Sequence, residues 1–233
     1  MSGSGRPAGS SSKREPVMGR PGWWARAGNA TLRSLALLIA RLYCRLEVIG
    51  TERVPTSGGL VIAPIHRSNL DFLLACLASP RRVRWMAKHT IFKGGIIDWF
   101  LMNMGAFPVN RDLADRTALR ICEDLLEAGE AVVMFPEGRR KEGDTVEDLF
   151  RGPAFVAARR RVPIVPVGIG GSDAAMPIGQ KFIFPRKIVC VIGEPLYPDV
   201  DLEGRVSRDQ VNELLERLRV DLERLYADAK ALL

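Results

Sequence analysis

The run His66-Arg67-Ser68-Asn69-Leu70-Asp71 places an imidazole and a carboxylate five positions apart. It directly follows the apolar segment 60–65, which is typical of a buried strand. Both groups are therefore expected near the carboxyl end of that strand, where open α/β sheets usually bind their ligands. A histidine oriented by a carboxylate is suited to remove a proton from a hydroxyl group.

The spacing of His66 and Asp71 restricts where the two residues can lie. On one helix they would point about 140° away from each other. The pairing therefore requires His66 in the loop and Asp71 in the first turn of the next helix. The alternative is a surface histidine and an aspartate that stabilises a helix start.

A second segment brings a cation to the end of another predicted strand. In Gly105-Ala106-Phe107-Pro108-Val109-Asn110-Arg111, the apolar residues alternate as in a strand, and Arg111 follows the strand end. The planar guanidinium matches phosphate oxygens, so Arg111 is a candidate phosphate ligand. The alternative is an exposed arginine after a core strand.

The run Phe135-Pro136-Glu137-Gly138-Arg139-Arg140-Lys141 combines a carboxylate with three cations directly after apolar residues 131–134. Gly138 permits close backbone approach to a ligand, and the cations neutralise an anion. Glu137 is expected either to bind a hydroxyl group or to hold an arginine. A solvated charged run is the alternative, but the position after a buried strand favours a binding loop.

Composition limits the classes of partner. The 233 residues suffice for one α/β domain, and an apolar fraction of 47% supports a large core. With 34 Lys+Arg and 27 Asp+Glu, the net charge of +7 favours phosphorylated substrates, acidic lipid headgroups or nucleic acid. A nucleic-acid binder needs aromatic platforms between its cations. Aromatic residues are only 7% of the chain and fall in apolar runs, so no nucleic acid is expected.

Cysteine and histidine usage indicates neither disulfides nor a metal site. The four cysteines are widely spaced in apolar stretches, which predicts buried reduced thiols in a cytosolic setting. His66 and His89 are the only histidines, and neither has a cluster of ligand residues beside it. We therefore expect no metal and no bound cofactor.

The first 46 residues divide into two parts. Residues 1–22 are rich in Gly, Ser, Pro and Arg, which is typical of a disordered tail. Residues 23–46 have a helical pattern, but their apolar stretch is shorter than the about 20 residues that a membrane span needs. Trp23, Trp24 and several arginines favour a helix at the headgroup level of a membrane. A helix that packs on the following domain is the alternative.

Residues 47–233 alternate short apolar runs with helical patterns. Strands are predicted at 46–49, 60–65, 83–87, 106–109, 131–135, 164–169 and 188–192. Helices are predicted at 70–78, 92–104, 114–128 and 153–161, and a last helix opens with the capping box Ser207-x-x-Gln210. This order predicts a single α/β domain whose largely parallel, mixed sheet of about seven strands is covered by helices on both faces, preceded by an N-terminal amphipathic helix.

The chain resembles the 1-acylglycerol-3-phosphate acyltransferases, within the wider glycerolipid acyltransferase superfamily. The resemblance extends from about Val48 to Pro195 and includes four blocks in the family's order. The family's His-x4-Asp block is matched by His66 and Asp71, which implies a general base and its orienting partner. Its fourth, aliphatic block is matched by residues 162–167.

Two further blocks of the family imply an acceptor-phosphate site. The Gly-x5-Arg block is matched by Gly105 and Arg111. The Phe-Pro-Glu-Gly-Thr-Arg block is matched at 135–140, with Arg139 in place of threonine. The substrate-binding residues implied by the resemblance are Gly105, Arg111, Glu137, Gly138, Arg139 and Arg140.

The resemblance implies that residues 47–233 form an acyltransferase domain of phospholipid biosynthesis. It would move a fatty acyl group from acyl-CoA or acyl carrier protein, as co-substrate, to the free hydroxyl of 1-acylglycerol 3-phosphate. The expected partners are this lysophospholipid, the thioester donor and an anionic membrane surface, with a peripheral location at the cytoplasmic face of the plasma membrane. The alternatives are acylation of glycerol 3-phosphate or another lysolipid, and a non-catalytic peripheral membrane protein on the same scaffold.

Overall fold

The structure is a computed structural model that describes residues 23–109, 115–200 and 205–233. The predicted tail 1–22 and the candidate phosphate ligand Arg111 lie outside the described residues. Within the described ranges, strands and helices follow one another in the predicted order.

One mixed sheet of seven strands forms the centre of the described fold, in the order β1-β7-β6-β2-β5-β3-β4. The strands are β1 (Glu47–Ile49), β2 (Leu60–Pro64), β3 (Val83–Lys88), β4 (Ala106–Val109), β5 (Ala131–Val133), β6 (Ile164–Gly170) and β7 (Val189–Ile192). Each strand lies on one of the seven predicted runs, which confirms the predicted α/β fold. Strands β6, β2, β5, β3 and β4 are parallel, whereas β7 is antiparallel to β6 and parallel to β1.

Helices cover both faces of this sheet. They are α1 (Trp23–Tyr43), α2 (Asp71–Ala78), α3 (Ile96–Asn103), α4 (Asp115–Glu127), α5 (Gly152–Arg160), α6 (Ser172–Ala175) and α7 (Arg208–Ala231). Helix α5 contacts α4 and α7, and α1 contacts α2. Because β2-α2-β3 and β5-α5-β6 cross the sheet in opposite directions, right-handed connections place α2 and α5 on opposite faces. The predicted capping box of α7 is formed by Ser207 and Gln210.

The strand register brings several segments to one edge of the sheet. Pro64 pairs with Val167 in the parallel β2–β6 pair, and Gly170 pairs with Val189 in the antiparallel β6–β7 pair. Val189 also pairs with Glu47 in the parallel β1–β7 pair. The carboxyl ends of β2 and β6 therefore lie at the same edge as the amino ends of β7 and β1. We call this edge the carboxyl edge.

Helix α3 begins at residue 96, four positions after the predicted start at 92. Gly94 and Gly95 have φ values of 87° and 85°, and this left-handed backbone cannot be part of a right-handed helix. The carboxylate of Asp98 then accepts the backbone N–H groups of Lys93 and Gly94 at 3.0 Å and 2.8 Å. Asp98, in the first turn of α3, thus fixes the segment that leads into the helix.

Helix α1 has one side on the core and another side in solvent. Leu32, Ala36 and Ala40 pack against the core of the domain. On the other side the large apolar residues are exposed, and these are Leu35, Leu38, Ile39 and Leu42. Among the described helices, none is sufficiently long and apolar to cross a membrane.

Candidate active site

His66 and Asp71 form a hydrogen-bonded pair at the carboxyl edge. Asp71 is the first residue of α2, and His66 lies in the loop between β2 and α2, as the pairing requires. Nδ1 of His66 is 3.1 Å from Oδ2 of Asp71. An ionised carboxylate only accepts hydrogen bonds, so this contact with Asp71 requires the ring proton on Nδ1, and the neutral imidazole then carries its lone pair on Nε2. Nε2 can therefore accept a proton from a bound hydroxyl group.

The carboxylate of Asp71 also fixes the backbone of the turn. Its Oδ2 accepts the N–H groups of Arg67 and Ser68, both at 2.6 Å, and the side chain is fully buried. The hydroxyl of Ser68 donates to the carbonyl oxygen of Met176 at 2.8 Å and accepts the N–H of Leu70 at 3.2 Å. Asp71 therefore orients the imidazole and the peptide units around it, and Ser68 is a structural residue of the same turn.

Phe135 supports the imidazole ring from one side. The two ring centroids are 4.0 Å apart with an interplanar angle of 25°. The His66 side chain is 18% exposed, whereas that of Asp71 is 0% exposed. The ring is thus packed on one face and still reachable from solvent, as a base that meets a substrate must be.

Arg67 is a site residue that the sequence interpretation missed. One of its guanidinium nitrogens donates to both carboxylate oxygens of Glu137, at 2.8 Å and 2.7 Å. Oε2 of Glu137 also accepts the backbone N–H of His66 at 2.9 Å. Burial lowers the pKa of Arg67, but the interactions with Glu137 and Tyr226 together raise that pKa above its ordinary value. The Arg67–Glu137 pair ties the His66 turn to the loop after β5.

The predicted role of Glu137 is corrected by this pairing. Of the two alternatives, hydroxyl binding or holding an arginine, the structure has the second. Glu137 is 0% exposed, so its carboxylate does not face a substrate from solvent. It acts on the site by holding Arg67 and the backbone of His66.

The C-terminal helix completes the surroundings of Arg67. Its guanidinium carbon lies 5.1 Å from the ring centroid of Tyr226 in α7, within cation–π distance. A second guanidinium nitrogen donates to the carbonyl oxygen of Thr145 at 2.8 Å, and the Tyr226 hydroxyl donates to that of Gly143 at 3.3 Å. Tyr226 and the segment around Thr145 therefore enclose the Arg67–Glu137 pair.

The loop after Glu137 presents the predicted cations. Gly138 has φ 67°, and a Cβ added there would lie 2.7 Å from the ring of Phe150, so the position requires glycine. Lys141 forms an ion pair with Glu147. Arg139 is exposed and Arg140 is half-buried. Within the described ranges, the side chains of these two arginines take part in no ion pair, which leaves both available to an anion.

Gly105 does not lie with the other predicted binding residues. It directly precedes the amino end of β4, and β4 is parallel to β3 and β5, so Gly105 is at the sheet edge opposite His66. Its φ is 97°, and an added Cβ would meet the carbonyl oxygen of Val83 at 1.9 Å. The predicted substrate contact of Gly105 is corrected accordingly, because the residue serves close packing of β4 on β3. Its partner in the block, Arg111, lies outside the described residues.

The described residues contain no group of three or more His, Cys, Asp and Glu residues placed to hold a metal ion. All four cysteines are buried free thiols, as the sequence predicts. Burial raises the pKa of each of them. These thiols belong to the core and contribute no ligand to the His66 site.

Two relatives give the family context for this geometry. The chain is 29% identical over 181 residues to the 1-acyl-sn-glycerol-3-phosphate acyltransferase of Bacillus subtilis, covering 77% of this chain and 87% of that protein. It is 30% identical over 179 residues to the chloroplastic 1-acyl-sn-glycerol-3-phosphate acyltransferase LPAT1 of Arabidopsis thaliana, covering 75% of this chain. The chain spans about half the length of that plant relative, at 50%.

A solved structure has the same fold. The crystal structure of the 1-acyl-sn-glycerophosphate acyltransferase PlsC from Thermotoga maritima superimposes with a TM-score of 0.66 at 22% identity, covering 88% of each chain. The family model named Acyltransferase matches residues 45–170, more than half of this chain and all of the segment from His66 to Lys141. The hydrogen-bonded His66–Asp71 pair thus occurs in a chain that belongs to the acyltransferase family.

Proposed function

We propose that this protein transfers a fatty acyl group from a thioester donor, acyl-CoA or acyl carrier protein, to the free hydroxyl of 1-acylglycerol 3-phosphate. The observation that carries the proposal is the 3.1 Å contact between His66 Nδ1 and Asp71 Oδ2. This contact leaves Nε2 as an available base at the carboxyl edge. The names of the Bacillus subtilis and Arabidopsis thaliana relatives support this choice of acceptor.

The reaction proceeds by direct attack of the acceptor on the donor. Nε2 of His66 takes the proton of the acceptor hydroxyl as its oxygen bonds to the thioester carbonyl carbon. The tetrahedral intermediate then expels the sulfur, and the imidazolium returns the proton to the leaving thiolate. Asp71 stabilises the transient imidazolium and keeps the ring oriented. Holding both reactants in attack geometry contributes up to roughly 7–11 kcal/mol to lowering the barrier.

Arg139 and Arg140 bind the acceptor phosphate in this proposal. Neither side chain lies in an ion pair within the described ranges, whereas Lys141 is paired with Glu147. Arg139 is near enough to Glu147 to contribute, after Lys141, to the lowered pKa of that carboxyl. Arginine donates two parallel hydrogen bonds to phosphate oxygens. Arg111 is assigned the same task from the family's block alone. Gly138 provides the positive φ of the turn that precedes these arginines.

We also propose a peripheral location at the cytoplasmic face of the plasma membrane. The exposed apolar side of α1 and the net charge of +7 support binding to an anionic lipid surface. The acceptor is itself an anionic amphiphile, so this surface supplies the substrate. The thioester donor arrives from the aqueous side.

Purified protein offered a panel of lysolipids and glycerol 3-phosphate with acyl-CoA or acyl carrier protein tests the proposal. Mass spectrometry of the products is expected to show a second acyl chain on 1-acylglycerol 3-phosphate, and none with His66→Ala. Exclusive acylation of glycerol 3-phosphate would show that this compound, and not 1-acylglycerol 3-phosphate, is the acceptor. No acyl transfer to any compound of the panel would refute the proposal. The melting temperature of His66→Ala serves as the folding control.

A further inference from the structure

The segment between α6 and β7 exposes large apolar side chains. We call residues 177–187 the apolar loop. Phe182 is 76% exposed, and Ile178, Ile183 and Phe184 are each 40–43% exposed. The loop has a defined conformation, because the N–H of Phe184 donates to the carbonyl oxygen of Ala175 at 2.7 Å.

The apolar loop lies against the end of α1. The hydroxyl of Tyr43 donates to the carbonyl oxygen of Ile183 at 3.0 Å. With 100° per residue, Tyr43 follows Ile39 around the helix by about 40°, beside the exposed apolar side of α1. The N–H of Ile188 also donates to the carbonyl oxygen of Cys44 at 3.1 Å. The loop and the exposed side of α1 therefore lie next to each other and together form one apolar surface.

This surface is joined directly to the His66 turn. Met176 precedes the apolar loop, and its carbonyl oxygen accepts the hydroxyl of Ser68 at 2.8 Å. Ser68 is two positions after His66 in the same turn. The loop also leads into the amino end of β7, which lies at the carboxyl edge. The exposed apolar surface and the base are thus at the same edge of the sheet.

Charge distinguishes a lipid surface from other occupants. Residues 174–193 contain no Asp or Glu, but they include Lys181, Arg186 and Lys187. Helix α1 contains three arginines and likewise no acidic residue. The 27 acidic residues of the chain lie elsewhere. Lys187 is paired with Glu47, which leaves Lys181 and Arg186 as cations of the loop with no carboxylate partner among the described residues. Apolar side chains beside such cations suit the boundary between acyl chains and anionic headgroups.

We propose that the apolar loop is a second membrane-binding element that inserts Phe182 into an anionic phospholipid bilayer beside α1. Its use in delivering lysophospholipid to His66 rests on the proposed function, whereas the lipid contact itself does not. The acceptor hydroxyl lies at the headgroup level of a bilayer. A loop bonded to the His66 turn places the base at that level.

Vesicle sedimentation with the full chain tests the loop. Wild type, Phe182→Ser and Tyr197→Ser are compared on vesicles of phosphatidylcholine with and without phosphatidylglycerol. Tyr197 is a matched control, since it is 60% exposed and follows Leu196, which pairs with Ile164 at the opposite edge. Phe182→Ser is expected to weaken binding to anionic vesicles about 10- to 100-fold, the ratio that burial of one phenylalanine gives. Tyr197→Ser is expected to bind as wild type does.

Activity on two forms of acceptor separates this inference from the proposed function. With a short-chain, monomeric acceptor, Phe182→Ser is expected to match wild type, and with vesicle-embedded acceptor it is expected to be slower. Unchanged vesicle binding overturns the inference, as does equal loss of activity on both acceptors. A dimer in vesicle-free solution that Phe182→Ser abolishes assigns the loop to self-association instead. Phe182-dependent vesicle binding without any acyl transfer leaves the inference standing and rejects the proposed function.

Discussion

Arg67 and Glu137 form a buried ion pair that joins the ends of two neighbouring strands. The nitrogen–oxygen distances are 2.8 Å and 2.7 Å, and the two side chains are 2% and 0% exposed. Glu137 also accepts the backbone N–H of His66. The position of the His66 ring therefore depends on a carboxylate that is itself held by an arginine.

Removing one member of this pair is expected to leave a buried charge without its partner. Glu137→Gln should lower the free energy of unfolding by about 3–5 kcal/mol. Urea unfolding of Glu137→Gln measures this loss. Glu127→Gln, which disrupts the exposed pair of Glu127 with Arg160, is the control and should change stability by about 0–1 kcal/mol. Equal effects of the two variants would contradict the structural importance assigned to the buried pair.

Asp71→Asn is expected to lower kcat by roughly 100- to 10,000-fold, the range of general base catalysis. The amide oxygen can still accept the three contacts that Oδ2 now accepts, but the negative charge that stabilises the imidazolium is lost. Steady-state kinetics on folded protein measures the effect. Asp98→Asn is the control, because Asp98 also accepts two backbone N–H groups but lies in α3. Similar losses of activity in both variants would show that stability, not orientation of the base, explains the effect.

Arg139→Ala and Arg140→Ala are expected to raise KM for the phosphorylated acceptor more than they lower kcat. Each variant removes a cation from the loop after Glu137 and leaves the His66–Asp71 pair in place. Kinetics at varied acceptor concentration separates the two parameters. Arg159→Ala is the control, since Arg159 is an exposed arginine that pairs with Glu123. If Arg159→Ala raises KM as much as the loop variants do, the effect is one of overall charge.

The buried thiols are expected to resist reagents that attack thiolates. Burial raises the pKa of Cys76 and Cys122 to about 12, above their ordinary value of 9.0. At pH 8 the native protein should therefore react slowly with a disulfide reagent, because the thiolate is the reactive form. All four cysteines should react promptly in guanidinium chloride. Rapid modification of folded protein would show that the thiols are accessible.

The same pKa shifts set the sign of a pH effect on stability. As pH rises through the ordinary thiol pKa of 9.0, the unfolded chain releases thiol protons that the folded chain still holds. The contribution of these thiols to stability is complete below that pH and is lost as pH rises toward 12. Urea unfolding at pH 8 and pH 10 measures the change. A protein that becomes more stable at the higher pH would contradict the burial of the thiols.

Much of the fold could be predicted because buried strands produce short apolar runs that stand out in the sequence. All seven predicted runs overlap a strand. The reversal of β7 could not be predicted, since hydrophobic periodicity carries no information on strand direction. The start of α3 was misplaced because apolar residues continue across Gly94 and Gly95. The positive φ values of these two glycines end the apolar segment that begins at residue 92 and allow α3 to begin only after them.

Of the candidate site, the sequence could predict the local contact between His66 and Asp71 but not the long-range contact of Arg67. The geometry of His66 and Asp71 follows from local spacing, so one turn of the chain determines it. The partner of Arg67 is 70 residues away, and only the pairing of folded strands brings the two charges together. In the sequence, the one indication that the two charged residues belong to the site is that each closely follows an apolar run. Tyr226 is four positions after Leu222 on the buried side of α7, so the sequence alone indicates only a core residue there.

The ring of Tyr226 beneath Arg67 has a consequence for attempts to define a minimal catalytic unit. The family match ends at residue 170, and α7 begins at residue 208. A protein shortened to the matched segment would keep every motif side chain and still lose the aromatic surface on which the guanidinium rests. Grafting the motifs onto another scaffold would meet the same difficulty, because α7 would have to be included to supply Tyr226.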